Sequence, residues 1–202
     1  MLYFEERGIF MYVQKRNETK NKIISSYLNL LDQKDATNIS VTDICEHSNI
    51  NRTTFYRYYT DIISLQTHLK QRTLKNIFGD PFIFYDKHRS VSNAQLYIAN
   101  HVFNHIFHNQ TLFKVLMTKD ESFKFELYNY FKNNYISFMK KVLIRETKST
   151  INEKLLSQYI AGAYTGMIYE WIISDYSASP NELTDSMIFI NSHGPISILE
   201  SK

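Results

Sequence analysis

Five glycines and three prolines in 202 residues leave this chain few places to turn tightly. Turn-rich all-β architectures depend on those two residue types, so long helices with few breaks are expected instead. The length allows one medium domain, or a small domain followed by a larger one. With 44% apolar and 21% charged residues, the chain has the composition of an ordinary globular protein rather than a disordered one. No stretch approaches the roughly 18 uninterrupted apolar residues that a membrane span needs, so no membrane partner is expected. The N-terminus lacks a basic segment leading into an apolar core, and no secretory leader is expected. A single cysteine, Cys45, excludes an intramolecular disulfide and any multi-cysteine zinc site, which points to a reducing, cytoplasmic setting.

Charge is unevenly placed. The net charge of +3 is modest, but residues 11–75 hold ten Lys or Arg against six Asp or Glu, and residues 76–202 hold twelve of each. A basic excess confined to the N-terminal third is what a phosphate-facing domain requires. Residues 1–10 show no clear period and precede a second methionine, Met11. The peptide Glu5-Glu6-Arg7-Gly8 can be encoded by a purine-rich run resembling a ribosome-binding site. Residues 1–16 are therefore read either as an N-terminal arm or as a mis-called start before Met11.

From Thr19, Ile23, Ile24, Tyr27, Leu28, Leu30 and Leu31 recur at helical spacing, predicting a first helix that ends near Lys34. Ser40 suits an N-cap with Asp43 three residues on, much as in a capping box. Ser48-Asn49-Ile50 reads as a tight turn, Asn51 as the cap of a very short helix from Arg52 to Tyr58, and Asp61 as the cap of a fourth from Ile62 to about Phe78. In this economy Ile44 and Cys45 face inward, Ile50 plugs the turn, and Phe55 and Tyr59, four residues apart, dock the short helix. Arg52, Thr53, Tyr56 and Arg57 are left facing outward. Gly79-Asp80-Pro81 breaks the chain. Five further helices are expected near 92–109, 110–118, 121–146, 152–175 and 180–190; the last has Ser179 as cap, Pro180 at N1 and Glu182 at N3.

The segment from Ile39 to Asp61, ISVTDICEHSNINRTTFYRYYTD, closely resembles the DNA-binding signature of TetR-type transcription regulators. Its first part is Ser40-Val41-Thr42-Asp43-Ile44 and its second ends in Tyr56-Arg57-Tyr58-Tyr59. A second, shorter likeness runs through Tyr159-Ile-Ala-Gly-Ala-Tyr-Thr-Gly166 and Tyr169-Glu-Trp171. The resemblance implies an all-α chain. An N-terminal three-helix helix-turn-helix domain would span 17–78, with the motif itself at about 40–59, and a C-terminal regulatory and dimerisation domain would span 82–202. It implies that Thr42 meets a phosphate or base edge at the start of the second helix. Arg52, Thr53 and Arg57 would face the groove, and Thr54 and Tyr56 would bind backbone phosphate. Those roles suit the chemistry: Arg pairs bidentately with guanine, whereas hydroxyls serve phosphate oxygens without reading sequence. One departure is Ile62, where the family commonly carries a phosphate-binding Lys.

The resemblance also implies a homodimer through helices 152–175 and 180–190. Gly162 and Gly166 would admit a close helix, with Ile160, Ala163, Met167 and Trp171 as the apolar stripe beside them. Fourteen of the 29 Phe and Tyr residues fall between Phe82 and Phe138. A small-molecule pocket would draw on such side chains, with Phe103, Phe107, Tyr128, Phe131, Tyr135 and Trp171 as candidates, although core filling is the commoner use of aromatics. His101, His105 and His108 have metal-ligand spacing on one helix face, but the apolar residues of that helix lie opposite and no nearby acid or thiol completes a set, so no metal is expected. There is no Gly-rich phosphate loop, Gly-x-Ser-x-Gly elbow or His-Glu-x-x-His pair, so neither an enzyme nor a cofactor is expected. The leading expectation is a ligand-responsive homodimeric repressor that binds operator DNA. The alternative is an adaptor or coactivator of the same fold that works through a protein partner.

Overall fold

A computed structural model of the chain describes residues 2–75, 77–88, 90–146 and 152–194. All regular elements among them are helical: α1 (Leu2–Gln33), a 3-10 turn (Ala36–Asn38), α2 (Val41–Ser48), α3 (Arg52–Tyr58), α4 (Ile62–Leu74), α5 (Pro81–His88), α6 (Val91–His108), α7 (Gln110–Lys119), α8 (Glu121–Glu146), α9 (Glu153–Ile173) and α10 (Pro180–His193). None of these helices is long and apolar enough to cross a membrane. The chain divides into two compact units, residues 1–72 and 73–202.

The first unit is organised by α1, which packs on α2, and by α2, which packs on α3. α1 starts well before the predicted Thr19, because residues 2–18 continue the same helix. Ile23, Ile24, Tyr27 and Leu31 bury its apolar stripe, and Leu65 and Leu69 bury that of α4. Gln66 donates to the Tyr27 hydroxyl at 2.8 Å, so the polar tip of a buried ring is satisfied.

The second unit stacks α8 on α9, α6 on α10 and on α5, and α7 on α8 and α9. Here the sequence reading is corrected in two places. α4 stops at Leu74 rather than near Phe78; Ile77 closes a turn onto the Leu74 carbonyl, and Gly79 follows at φ 66°. At that positive φ the position favours glycine, and a Cβ there would also press on the Tyr97 hydroxyl. The second correction is α5, an additional helix where no element was expected. Asp80 accepts from the backbone N–H groups of Phe82 and Ile83, and Pro81 opens the helix. The Asp-Pro pair read as a break is thus a helix start, an N-cap followed by proline at N1. α5 brings Tyr85 into a cluster with Ala94, Phe138 and Val142.

Candidate nucleic-acid interface

Local chemistry fixes the helix-turn-helix. Ser40 accepts from the Asp43 N–H and Asp43 accepts from the Ser40 N–H at 2.7 Å, which is the expected capping box. Asp43 also takes Lys34 Nζ at 2.9 Å, a tie between the end of α1 and the start of α2 that the sequence reading missed. Lys34 first, and then Ser40, hold the Asp43 carboxyl down at about 2. Asn49 turns the chain through a left-handed conformation (φ 54°), which asparagine tolerates better than most residues. The Ile50 N–H returns to the Cys45 carbonyl. Asn51 then accepts from the Thr54 N–H at 2.7 Å and starts α3.

α3 is divided cleanly by this scaffold. Phe55 and Tyr59 are buried, their rings 5.9 Å apart, as the spacing predicted. Arg52, Thr53, Tyr56 and Arg57 are exposed, and Thr54 is half-buried. The Arg52 guanidinium donates to the Thr42 hydroxyl, joining the first turns of α2 and α3. Beyond α3, Asp61 accepts from the Ser64 N–H at 2.7 Å, as expected of the α4 cap. Ile62 is half-buried and Ile63 is 70% exposed. The Tyr59 hydroxyl meets His68 Nδ1 at 2.7 Å and ties the end of α3 to the middle of α4. Burial raises the Tyr59 hydroxyl to about 12. Burial first, and then the charges of Lys20 and Arg72, lower the His68 pKa. No residue type singled out His68 in the sequence; nine residues from Tyr59, it follows no helical spacing.

In the second unit the six candidate pocket residues are placed differently from one another. Phe103, Phe131, Tyr135 and Trp171 are buried, and the first three gather around Tyr164, which sits 4.9 Å from Phe131, 5.8 Å from Tyr135 and 5.9 Å from Phe103. Trp171 reaches the Phe103 ring at 5.8 Å and donates its indole N–H to the Ala178 carbonyl at 2.8 Å. Phe107 is 39% exposed beside Trp171, and Tyr128 stacks on the exposed Phe125 instead. Two open clefts occur elsewhere. One, of about 620 Å³, is lined by Phe78, Asp80, Phe82, His101, Asn134 and Ser137. The other, of about 320 Å³, lies among Phe84, Leu96, Tyr97, Asn100 and His101. The six candidates line neither. His101 stacks between Tyr97 and His105, whereas His108 turns to the Asn104 carbonyl at 2.6 Å. Among the described residues no group of three His, Cys, Asp or Glu side chains is arranged to hold a metal ion.

The apolar stripe expected on α9 is also rearranged. Ile160 and Trp171 are buried within the second unit, and Ala163 and Met167 are half-buried. The outward stripe consists of Leu155, Tyr159 and Ile173, exposed by 63%, 53% and 48%, with Gly162 and Gly166 between them. At about 100° per residue these five positions fall within roughly 60° of arc, whereas Ile160 and Trp171 lie more than about 100° from its centre. A Cβ at either glycine would meet nothing within 4 Å.

Residues 94–191 match a family model described as the C-terminal region of transcriptional regulators, of the TetR type. Among solved structures, a protein described as a TetR-family regulator from Syntrophomonas wolfei aligns with a TM-score of 0.69 at 17% identity, covering 91% of this chain and 96% of its own. A TetR regulator from Streptococcus agalactiae aligns at 0.64 and 18% identity, covering 90% and 98%. The dihydroxyacetone kinase operon activator DhaS aligns at 0.60 and 20% identity, covering 85% and 93%. No curated protein matches the sequence significantly. The C-terminal half thus resembles the corresponding region of TetR-type transcriptional regulators, and the chain shares the fold of the solved TetR-type structures.

Proposed function

We propose that the protein is a homodimeric regulator that binds operator DNA in a sequence-specific manner and represses transcription until a small molecule binds its C-terminal unit. The observation that carries this reading is the division of α3. One side is locked into the core by Phe55 and Tyr59, and the other offers Arg52, Thr53, Tyr56 and Arg57 to solvent. Two arginines and two hydroxyls exposed on one short, anchored helix suit base reading and phosphate binding. The outward stripe of α9, with its two open glycines, supports association through that helix, since an exposed apolar face of this kind is a common partner surface. A twofold dimer would present two copies of α3, which must sit about 34–36 Å apart to enter successive major grooves. A ligand that prefers the wrongly spaced state would release DNA by the factor of that preference.

The test is a mobility-shift titration of the purified protein against its gene's own upstream region, beside a shuffled duplex of equal length. A shift that is specific, and lost in Arg52→Ala with Arg57→Ala, is expected. Equal affinity for both duplexes overturns sequence-specific binding. Ile62 in place of a phosphate-binding Lys, followed by the exposed Ile63, favours a second reading: an adaptor that acts through a protein partner. Under it the wild-type protein shifts neither duplex. A reporter on the upstream region reads the sign of control, because deleting the gene raises transcription for a repressor and lowers it for an activator.

A further inference from the structure

We infer that Thr42 is a positioning residue for base reading: its hydroxyl holds the Arg52 guanidinium in the orientation that selects one base pair. The inference rests on the DNA-binding reading above and adds to it a role for a specific contact. Arg52 is the first residue of α3 and Thr42 the second of α2, ten residues apart across the turn. At about 100° per residue Arg52 sits within roughly 20° of the buried Tyr59 direction, at the edge of the outward face rather than at its centre. From that edge its side chain leans back over α2, where it donates to Thr42 Oγ1. The same lean explains why the Arg52 charge opposes the burial that pushes the Cys45 thiol up.

A free arginine side chain loses rotamer entropy when it is fixed, and a guanidinium tethered in advance loses less on binding. The guanidinium carries five N–H donors, and one suffices for Thr42. The others remain to form the two parallel hydrogen bonds that a guanine edge accepts. The Thr42 hydroxyl still has its own proton, which it can give to a phosphate oxygen. A threonine used only as a phosphate anchor would support all sequences alike. A threonine that orients Arg52 supports one base pair over the other three.

The experiment uses full-length protein and duplexes selected by the wild type from a randomised library. The base pair read by Arg52 is the one whose substitution no longer matters in Arg52→Ala. At that pair Thr42→Val, which keeps the shape and removes the hydroxyl, is expected to lose most of the roughly 5- to 150-fold discrimination that one bidentate arginine contact supplies. Thr42→Ser, which keeps the hydroxyl, is expected to stay close to wild type, and Thr42→Val with Arg52→Ala to discriminate no worse than Arg52→Ala alone. If Thr42→Val weakens binding to every sequence by one factor and leaves the discrimination intact, the positioning role is overturned and Thr42 is a phosphate anchor. Nitrogen relaxation of the Arg52 Nε in the DNA-free protein separates this from failure of the reading itself. The side chain is expected to be ordered in the wild type and released in Thr42→Val, and equal mobility in both overturns the inference. A wild type that selects no duplex overturns the DNA-binding reading, and the inference with it.

Discussion

If the protein is the homodimer proposed above, Gly166→Glu should convert it to a monomer without unfolding it. Within one chain the substitution has no steric cost, because a Cβ at Gly166 meets nothing within 4 Å. Replacing a mid-helix glycine by glutamate even favours α9 by roughly 0.5 kcal/mol through backbone entropy. Across a twofold interface the balance reverses. Gly166 lies between Tyr159 and Ile173, which are half-exposed in the single subunit, so a dimer that covers this stripe buries one unpaired carboxylate from each subunit. Each such burial costs several kcal/mol, about 3 at the low end, and symmetry doubles it. At about 1.4 kcal/mol per factor of ten, the dissociation constant should rise by roughly four orders of magnitude. Sedimentation velocity across a micromolar series, beside circular dichroism, reads both halves. A dimer that persists with unchanged affinity would refute the assignment of this stripe to the interface. A monomer whose helical signal collapses would refute the claim that Gly166 is free of contacts in its own subunit. Gly166→Ala is the control for size, stabilising α9 while adding only a methyl group.

Alanine at Arg52 or Arg57 should cost about 1–3 kcal/mol on the best operator and relax preference at one base pair, whereas Tyr56→Phe should weaken all duplexes alike; fluorescence anisotropy against single-substitution duplexes checks both. Phe55→Ala should cost about 3–5 kcal/mol, because the ring is fully buried in a unit of only 72 residues. Hydrogen exchange resolved by peptide should then show loss of protection over residues 39–59, and unchanged protection there would contradict the core described. The first unit should also lose stability on both sides of a broad plateau. His68 binds a proton less readily folded than unfolded, so its contribution is present above about pH 6.5 and is lost as pH falls through its lower folded value. Tyr59, raised to about 12 by burial, contributes below about pH 10 and loses that contribution as pH rises toward 12. His105 is lowered in the same direction in the second unit, so the measurement is the difference between wild type and His68→Gln in thermal melts from pH 5 to 8. Equal acid slopes in the two proteins would exclude His68 as a source.

Much of the N-terminal unit was legible because its signals are local. A capping box needs Ser40 and Asp43 three residues apart, a turn needs a residue such as Asn49 that accepts a left-handed backbone, and a seven-residue helix buries one side when Phe55 and Tyr59 stand four apart. Each is a statement about neighbours along the chain, and each appears in the structure where the spacing put it. Even α5 was encoded in this way, in Asp80 and Pro81, but the same pair also describes a break, and only the accepted N–H groups distinguish the two. What tertiary structure alone decided are contacts between side chains far apart in sequence or off the helical period: Lys34 with Asp43, Tyr59 with His68, and Arg52 with Thr42. The same holds for the direction that each face of a helix takes when both faces are apolar. α9 carries Leu155, Tyr159 and Ile173 on one side and Ile160, Ile168 and Trp171 on another, so its pattern alone does not say which stripe is interior. The packing of Trp171 on Phe103, with its indole N–H given to Ala178, turns the second stripe inward and leaves the glycine stripe facing out. Periodicity records that a helix has an apolar face; which of two such faces is buried depends on the shapes that the rest of the chain brings against it.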